Sequence, residues 1–402
     1  MSLLASSLPG ARSPIERWAL DPRIVHLNHG SYGGCPRRVL DAAAAVRARL
    51  EAAPMRFFGL EWQAELDRAR SGLAAFVGAR PDRLVFVPGA TTGVAIALAS
   101  LLPTLEAGDG ILVTDHGYRA CTNQVRRLAA ARGLAVTTAR VALPFDDDAL
   151  VEAVWSSITP RTRVAVLDHV TSPTALVLPI ARLVALLAER DVATIVDGAH
   201  APGQLELAVD ALGATYYAGN CHKWLCAPKG SGFLVVADGA PNEPLVTSHG
   251  ASPEYGPANR LHAEFDWPGT HDPAAYLAVP AAIDAVAAEG GGWPAVVARN
   301  HALIIAMRER LVAALGGPRR PIAPDDALGS MASIPIELPA GVEPLGLEHE
   351  LLRDGWEVPI VEFATGPMVR ISAQLYNHAG EVDNLARELH LRGVRTRELV
   401  VG

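Results

Sequence analysis

The sequence has 402 residues, of which 50% are hydrophobic and 19% are charged, a balance typical of a globular protein that buries much of its chain. Its formal net charge of −8, with no basic run at either end, argues against nucleic acid or an anionic membrane as a partner. No stretch is long and apolar enough to span a membrane and the first residues do not resemble a secretory signal, so we expect a cytoplasmic protein.

Short runs rich in valine, isoleucine and leucine recur along the chain and alternate with helix-like segments rich in alanine, leucine and arginine. The runs begin at Leu84, Ile111, Leu134, Arg163, Ala193, Ala214 and Phe233. Continuous apolar runs that alternate with helices are typical of a mostly parallel sheet covered on both faces. The sequence therefore predicts an α/β fold with a mostly parallel sheet of about seven strands flanked by helices.

The character of the sequence changes after residue 290. The segment GGGWP, which begins at Gly290, indicates a break, and the helical stretch AVVARNHALIIAMRERLVAAL follows it. The remainder includes the strand-like segments SIPIELP and MVRISAQLY. We expect a large domain over residues 26–290 and a smaller α+β domain over residues 291–402, which the N-terminal segment 1–25 joins.

Polar side chains follow several of the predicted strands. In parallel sheets, ligands bind beyond the carboxyl ends of the strands, so these positions predict the functional site. They hold Thr91 and Thr92, His116 and Tyr118, Thr171 and Ser172, Asp197 and His200, and His222 and Lys223.

One acidic residue and one lysine at these ends form the strongest signal. Asp197 ends a buried run in TIVDGAHAPGQ, and Lys223 follows in YYAGNCHKWLCAPKGSG. Chemistry with pyridoxal 5'-phosphate (PLP) needs a carboxylate that keeps the pyridine nitrogen protonated. It also needs a lysine that forms a Schiff base with the cofactor and moves protons at the substrate Cα. Taken alone, Asp197 is better explained as a strand-end cap and Lys223 as a solvated loop lysine, so the prediction depends on the residues around them.

Further motifs accompany this pair in a fixed order along nearly the whole chain. They are HLNHGSYGGCP, PMRFF, PGATTG, DHGYRA, DHVTSP, VDGAH, GNCHKW, TSHG, FDWPGTHDPAAYLAVPAAI and VRISAQLYN. Together they resemble the class V aminotransferase family of PLP enzymes, in particular its isopenicillin N epimerase-like branch. The resemblance implies PLP fold type I, a cofactor bound to Lys223 and an amino acid substrate.

The resemblance assigns a group of residues to the cofactor phosphate. Thr91 and Thr92 stand at the start of a predicted helix, where free backbone N–H groups bind phosphate and where capping is the plain structural alternative. His222 and Asn220 are expected to contact the same phosphate. Thr270 resembles the threonine that reaches the phosphate of a neighbouring subunit, which implies a homodimer.

A second group is assigned to the cofactor ring. Tyr118 matches the aromatic residue that stacks on the ring, with His116 as the alternative. Ser172 falls where the family often has an asparagine that binds the ring hydroxyl, and Thr171 is its rival. His200 is expected over the ring or over the Asp197 carboxylate.

On the substrate side, the resemblance implies that Arg370 binds the amino acid carboxylate, since a guanidinium offers two parallel donors. Asn28, His29, Arg56 and His249 are further candidates for substrate contacts. An ordinary structural role is an equal alternative for each of these four residues.

The reaction itself stays open between two outcomes at the substrate Cα and Cβ. Epimerisation needs a second proton donor, such as Tyr118 or a nearby histidine, on the ring face opposite Lys223. β-Elimination by a carbon–sulfur lyase needs only Lys223 and a leaving group. Cysteine desulfuration is disfavoured because no cysteine follows Cys226. Transamination and a non-catalytic PLP-binding regulator are weaker alternatives.

Other site classes lack their motifs. The sequence has no G-x-G-x-x-G dinucleotide loop after the first strand and no G-x-S-x-G elbow. His249, His262 and His271 lack a tight metal-ligand spacing, so we expect no metal site. The four cysteines are too few and too scattered for a disulfide framework.

Overall fold

The computed structural model describes residues 13–252, 259–317 and 321–397. The strands of this part of the chain, in sequence order, are β1 (Val25–His26), β2 (Leu84–Val87), β3 (Gly110–Thr114), β4 (Ala135–Ala139), β5 (Thr162–Asp168), β6 (Ala193–Gly198), β7 (Tyr216–Asn220), β8 (Gly232–Val236), β9 (Met331–Glu337), β10 (Trp356–Glu357), β11 (Ile360–Val361), β12 (Met368–Ser372) and β13 (Arg395–Thr396).

The helices are α1 (His29–Tyr32), α2 (Arg37–Ala52), α3 (Pro54–Arg56), α4 (Trp62–Val77), α5 (Ala90–Leu101), α6 (Arg119–Arg132), α7 (Asp147–Ser157), α8 (Ile180–Ala188), α9 (Val209–Leu212), α10 (Arg260–Phe265), α11 (Ala274–Leu277), α12 (Val279–Gly290), α13 (Trp293–Ala314), α14 (Pro344–Arg353) and α15 (Glu381–Leu391). Within the described ranges, none of these helices combines the length and the apolar character that a membrane crossing requires.

A seven-stranded sheet lies at the centre of the molecule, in the order β2-β8-β7-β6-β5-β3-β4. The pairs β7–β6, β6–β5, β5–β3 and β3–β4 are parallel, whereas β8 runs antiparallel to both of its neighbours. Each strand coincides with one of the predicted apolar runs to within about two residues. The predicted α/β fold with a mostly parallel sheet is therefore confirmed.

Alternate residues of the central strands pack into two separate hydrophobic cores, one on each face of the sheet. On β6, Ile195 lies in the core that also contains Val94 of α5, and Val196 lies in the core that contains Leu183 of α8. Each fully buried Val, Leu or Ile side chain contributes roughly 1.5–3 kcal/mol. Because both faces are covered, the strand ends form a rigid edge on which side chains are held in place.

A smaller antiparallel sheet forms in the C-terminal part, in the order β11-β12-β9-β13. The predicted long helix after residue 290 is α13, which packs against β9 and α15. This sheet carries Arg370 on β12, where Arg370 pairs with Ser333 of β9. The arginine is thereby fixed to a different sheet from the lysine.

The N-terminal segment contacts this C-terminal part. Val25 of β1 pairs with Trp356 of β10 in parallel, and the Ser13 backbone N–H donates to the Leu375 carbonyl oxygen at 3.0 Å. We therefore propose that this segment belongs to the smaller domain. The predicted domains 1–25 and 291–402 extend over residues 1–12, 318–320 and 398–402, which lie outside the described residues.

Candidate active site

The predicted strand-end residues meet around Lys223, in the turn between β7 and β8. Asp197 stands near the end of β6 and Asn220 ends β7. The helix α5 follows β2, which runs in the same direction as β7 because β8 is antiparallel to both. The carboxyl ends of these strands therefore form one edge of the sheet, as expected for a ligand site.

Lys223 is partly buried, and its Nζ lies 3.0 Å from Nε2 of His200. Burial and, next, the positive charge of Arg370 lower the pKa of Lys223 to about 8. Burial holds the pKa of His200 well below its usual value, so its ring is neutral. The indole N–H of Trp224 donates to Nδ1 of His200 at 3.4 Å, which fixes the ring orientation. The lysine amine is thus held against a neutral imidazole.

The chain contains one other lysine, Lys229. Lys229 is exposed, and its Nζ donates to the carbonyl oxygen of Gly33 at 2.8 Å. Lys223 is therefore the one lysine whose amine lies among the strand-end residues.

The backbone of Lys223 is supported from behind by the segment around α1. Nε2 of His29 lies 3.1 Å from the Lys223 carbonyl oxygen, and Nδ1 of His29 lies 3.0 Å from the hydroxyl of Tyr376. Gly33, with φ +71°, packs so closely that a Cβ would lie 2.0 Å from the His222 carbonyl oxygen. His29 is buried, and burial lowers its pKa to about 3. In this structure the ring of His29 holds the lysine turn, which is the ordinary structural role that was the alternative to a substrate contact.

Asp197 is buried beside the lysine. Its Oδ1 accepts the Ala199 backbone N–H at 3.0 Å, and its Oδ2 accepts the Cys121 thiol at 3.2 Å. Burial raises the pKa of Asp197, while the charge of Lys223 opposes that rise. Among the residues described, no cation lies within ion-pair distance of Asp197. This carboxyl group suits a ligand that brings its own N–H donor, because such a donor completes a charge-assisted hydrogen bond.

The start of α5 is exposed at the same edge. Thr91 is exposed and Thr92 partly buried, and neither side chain caps the helix. The structural alternative of simple capping therefore does not account for these two hydroxyl groups. The free N–H groups of a 12-residue helix together with two hydroxyl groups form a suitable anion site.

Asn220 and His222 lie against this helix start. Oδ1 of Asn220 accepts the Ala90 backbone N–H at 2.8 Å. Nδ1 of His222 lies 3.1 Å from the Ser231 carbonyl oxygen, and its ring is close enough that a Cβ on Gly89 would lie 3.8 Å from Cε1. The residues predicted for the cofactor phosphate are therefore brought together, apart from Thr270.

The structure separates Tyr118 from its alternative, His116. His116 is buried, with Nδ1 2.8 Å from Oγ1 of Thr174 and its ring edge-on to Phe363 at 4.6 Å, and burial lowers its pKa to about 4. Tyr118 is 40% exposed, and its backbone N–H donates to Oδ1 of Asp168 at 3.1 Å. Burial of the remaining surface raises the pKa of Tyr118. Tyr118 is thus the ring that is open to a ligand.

Ser172 and Thr171 differ in the same way. Thr171 is fully buried, and its hydroxyl lies 2.8 Å from that of Thr174 and accepts the Leu176 N–H at 2.9 Å. Ser172 is partly exposed, and Nη1 of Arg370 donates to its carbonyl oxygen at 2.5 Å and to its Oγ at 3.2 Å. Ser172 therefore remains the candidate for a ligand contact.

Arg370 joins the two sheets at the site. It is buried, and its Nη2 donates to Oδ1 of Asn28 at 3.2 Å and to Oγ of Ser31 at 2.7 Å. Its Nε has no partner, and in the described ranges no carboxylate lies within ion-pair distance. Burial lowers the pKa of Arg370 to about 10, so it remains a cation at neutral pH. A buried cation held only by neutral acceptors suits an anionic ligand.

Three of the predicted residues lie elsewhere in the chain. His249 and Thr270 are exposed and line a surface cavity of about 600 Å³. The ring of His249 lies 5.8 Å from that of Trp267. Arg56 is exposed, and its Nε donates to Oε1 of Glu61 at 3.2 Å. The residues that line this cavity do not include Lys223 or Arg370, and the substrate-side roles of Arg56 and His249 stay predictions.

A separate group, Asp67, His262 and Asp266, has the spacing of a cation site. However, Nη2 of Arg70 already donates to Oδ2 of Asp266 at 2.6 Å, and Nε2 of His262 lies 3.1 Å from the Pro81 carbonyl oxygen. A buried guanidinium therefore supplies the positive charge that this group needs.

The residues near the site that sequence reasoning missed include Ser31, Cys121 and Asp168. Asp168 ends the run RVAVLD just as Asp197 ends TIVD, so the sequence did carry a signal for it. Ser31 and Cys121 carried none, because their contacts arise from tertiary packing.

Comparison with known proteins places this geometry in context. The model of the family described as Aminotransferase class-V matches residues 34–385. The chain is 39% identical to isopenicillin N epimerase of Amycolatopsis lactamdurans, over 96% of this chain and 99% of that protein. It is 37% identical to isopenicillin N epimerase of Streptomyces clavuligerus, over 93% and 96%.

The chain is also 31% identical to putative L-cysteine desulfhydrase 1 of Oryza sativa subsp. japonica, over 90% of this chain and 82% of that protein. Among solved structures, it resembles C-DES with glycine covalently linked to the PLP cofactor, with a TM-score of 0.79 at 22% identity over 94% and 99% of the two chains. At this identity, the structural likeness shows a shared fold.

Proposed function

We propose that this chain, which belongs to the class-V aminotransferase family of PLP-dependent enzymes, inverts an amino acid at the carbon that bears the amino group. The observation that carries the proposal is the identity of 37–39% to two isopenicillin N epimerases over nearly the full length of each chain. The relatives named as cysteine desulfhydrases share less of the sequence, 31% or below. The proposed substrate class is therefore isopenicillin N or a similar amino acid with a free carboxylate.

The residues around Lys223 fit the cofactor. Lys223 is the covalent attachment point, and Asp197 has no cationic partner of its own in the described ranges, which suits the pyridine N–H. The start of α5 with Thr91 and Thr92, together with Asn220 and His222, holds the phosphate. When bound, PLP supplies the electron sink that allows the substrate carbon to lose its proton.

Three further residues complete the cofactor site. Tyr118 stacks on the ring, since its side chain is the exposed aromatic of the pair His116 and Tyr118. Ser172 binds the ring hydroxyl. The Nε2–H of His200, whose Nδ1 accepts from Trp224, donates to the lysine amine at 3.0 Å. This arrangement keeps the amine in place for proton transfer.

Arg370 is the proposed partner of the substrate carboxylate. Its buried guanidinium has an unpaired Nε, and Asn28 and Ser31 hold its other end. A carboxylate at this position orients the substrate so that one bond at the reacting carbon faces Lys223.

Inversion requires a proton to leave on one face and to return on the other. Lys223 removes the first proton, and a phenol is the proposed donor of the second. Two tyrosines interact electrostatically with Arg370: Tyr118, and Tyr32, which directly follows Ser31 and is 73% exposed. β-Elimination needs no second donor, so loss of inversion in variants of these two tyrosines is what would separate the epimerase from a lyase.

A PLP-dependent carbon–sulfur lyase is the second candidate, supported by the 31% identity to a putative cysteine desulfhydrase. Lys223 alone suffices for that reaction when the substrate carries a leaving group at Cβ. The loop before Arg370 has Phe363 and no cysteine, so a cysteine nucleophile of the desulfurase kind is lacking there.

The enzyme is proposed to act as a homodimer in the cytoplasm. Thr270 and His249 line the exposed cavity together with the aromatic residues Phe58, Trp62 and Trp267. A second copy that covers this surface would carry Thr270 to the phosphate of its neighbour, as the family resemblance implies. Arg56, next to this cavity in sequence, would then contact the neighbouring substrate.

The reaction is tested by incubating the purified holoenzyme with isopenicillin N, and separately with L-cysteine, in heavy water. We expect inversion of isopenicillin N with deuterium at the inverted carbon, and no pyruvate or sulfide from cysteine. NMR measures the deuterium, and optical rotation measures the inversion. Pyruvate and sulfide in equal amounts, without inversion of isopenicillin N, would instead identify a lyase.

The pKa of Lys223, lowered to about 8 by burial and by Arg370, predicts the pH dependence of cofactor attachment. Only the neutral amine attacks PLP, so the attachment rate of the apoprotein should rise with pH and level off above about 8. Stopped-flow absorbance measures this rate. A rate that keeps rising to the ordinary lysine pKa of about 10.4 contradicts the prediction.

A further inference from the structure

A second buried carboxyl group, Asp168, lies beside Asp197. Asp168 ends β5, and its Cα is the register partner of Asp197 on the parallel strand β6. Side chains at paired positions of neighbouring parallel strands point to the same face, with their backbones about 4.8 Å apart. Both carboxyl groups are buried, with exposed fractions of 5% and 3%.

The groups that face these two carboxyls come from two further elements, α6 and the turn after β7. Cys121 of α6 donates its thiol to Oδ2 of Asp197, and the Tyr118 backbone at the start of α6 donates to Oδ1 of Asp168. Lys223, in the turn after β7, contributes a positive charge when it is protonated. In the described chain no Lys, Arg or His, Lys223 included, comes within ion-pair distance of either carboxyl.

Two negative charges at this spacing, away from water, repel each other strongly, so one of the two carboxyls keeps its proton. Asp197 is the better anion because it accepts both the Cys121 thiol and the Ala199 N–H. Asp168 accepts only one hydrogen bond from another residue, that of the Tyr118 backbone N–H. Burial, and then the charge of Asp197, hold the pKa of Asp168 well above its usual value.

We propose that Asp168 is a positioning residue that keeps its proton during turnover. As a neutral carboxyl it accepts the Tyr118 N–H and fixes the start of α6 and the ring of Tyr118, while Asp197 carries the single negative charge toward the cofactor. This role rests on the proposed function, in which Tyr118 and Asp197 contact PLP.

The proton on Asp168 is tested by infrared difference spectroscopy of the wild-type holoenzyme against Asp168→Asn. Asparagine imitates a neutral carboxyl, because its oxygen still accepts the Tyr118 N–H and its amide replaces the acidic hydroxyl. We expect a carboxylic acid C=O band in the wild type that Asp168→Asn removes. A wild type without this band at neutral pH overturns the proposal.

The positioning role is tested by PLP affinity and by the pH dependence of the bound cofactor absorbance. Asp168→Asn should keep the PLP Kd within about 3-fold of wild type and leave the pH midpoint unchanged, because the charge near the cofactor is unaltered. Asp197→Asn, the matched variant that removes the proposed anion, should weaken PLP binding by about 10-fold or more and shift that midpoint. A shifted midpoint in Asp168→Asn would mean that Asp168 is ionised.

The two hypotheses fail separately. The infrared band and the PLP affinity need no turnover, so they report on Asp168 whichever amino acid the enzyme accepts. Loss of inversion activity with an intact band would count against the proposed reaction and leave the Asp168 role standing.

Discussion

Lys223→Ala abolishes covalent attachment of PLP and, we expect, lowers the turnover rate by about 10⁴-fold or more, because it removes both the attachment point and the base. The amine has no substitute, since His200 at 3.0 Å has its pKa held well below the usual value and cannot form the covalent link. The loss is measured as the disappearance of the visible absorbance of the linked cofactor, alongside the inversion rate.

Lys229→Ala is the matched control for this variant, because the chain has these two lysines and no others. Lys229 is exposed, and its Nζ donates to the backbone carbonyl oxygen of Gly33 and not to a side chain of the site. We expect its variant to retain the absorbance and the rate. Borohydride reduction of the wild-type holoenzyme should place the cofactor on the peptide that contains Lys223. A label on Lys229 would contradict the assignment.

The central sheet was predictable from sequence because its strands are covered on both faces. A strand such as β6, with Ile195 in one core and Val196 in the other, must be apolar at consecutive positions, and this gives a visible run. The reversed direction of β8 was not predictable, since a buried run such as Gly232–Val236 has the same composition in either direction. The order of the strands in the sheet was not predictable either, because it depends on tertiary contacts.

The site was predictable where a residue's position along a strand decides its role. Asp197 and Lys223 follow apolar runs, and strand ends meet at one edge. Adjacent residues in a turn were harder to separate. Asn28 and His29 are neighbours, yet the first accepts from Arg370 and the second holds the Lys223 carbonyl group. The direction of each side chain depends on the geometry of α1, which composition alone does not determine.

Residues that act between subunits are the hardest to place from a single chain. Thr270 lines an open cavity, and its predicted partner, the phosphate of a neighbouring subunit, would belong to a second copy. Cys121 illustrates the opposite case: its contact with Asp197 is internal, but a lone cysteine at the third position of a helical segment gives no sign of its partner.

Arg370→Lys should lower kcat/KM for the amino acid substrate by about 10²–10³-fold, which corresponds to about 3–4 kcal/mol. Lysine keeps the positive charge but loses the planar donor pair that binds a carboxylate, and it cannot bond Asn28, Ser31 and Ser172 together. The effect is measured by steady-state kinetics, with cofactor absorbance as the check that PLP stays bound. Arg119→Lys, on the exposed start of α6, is the matched control and should leave kcat/KM unchanged.

Arg370→Met separates the charge of this arginine from its hydrogen bonds. Arg370 helps to lower the pKa of Lys223, so removing its charge makes the protonated amine less unfavourable and raises that pKa above about 8. The pH at which PLP attaches to the apoprotein should therefore move upward in Arg370→Met and stay in place in Arg370→Lys. If both variants lose substrate affinity and only the methionine variant shifts the pH profile, Arg370 acts both as the carboxylate partner and as a control on the lysine. An equal shift in both variants would mean that the changed pH profile comes from a disturbed site and not from the loss of the positive charge.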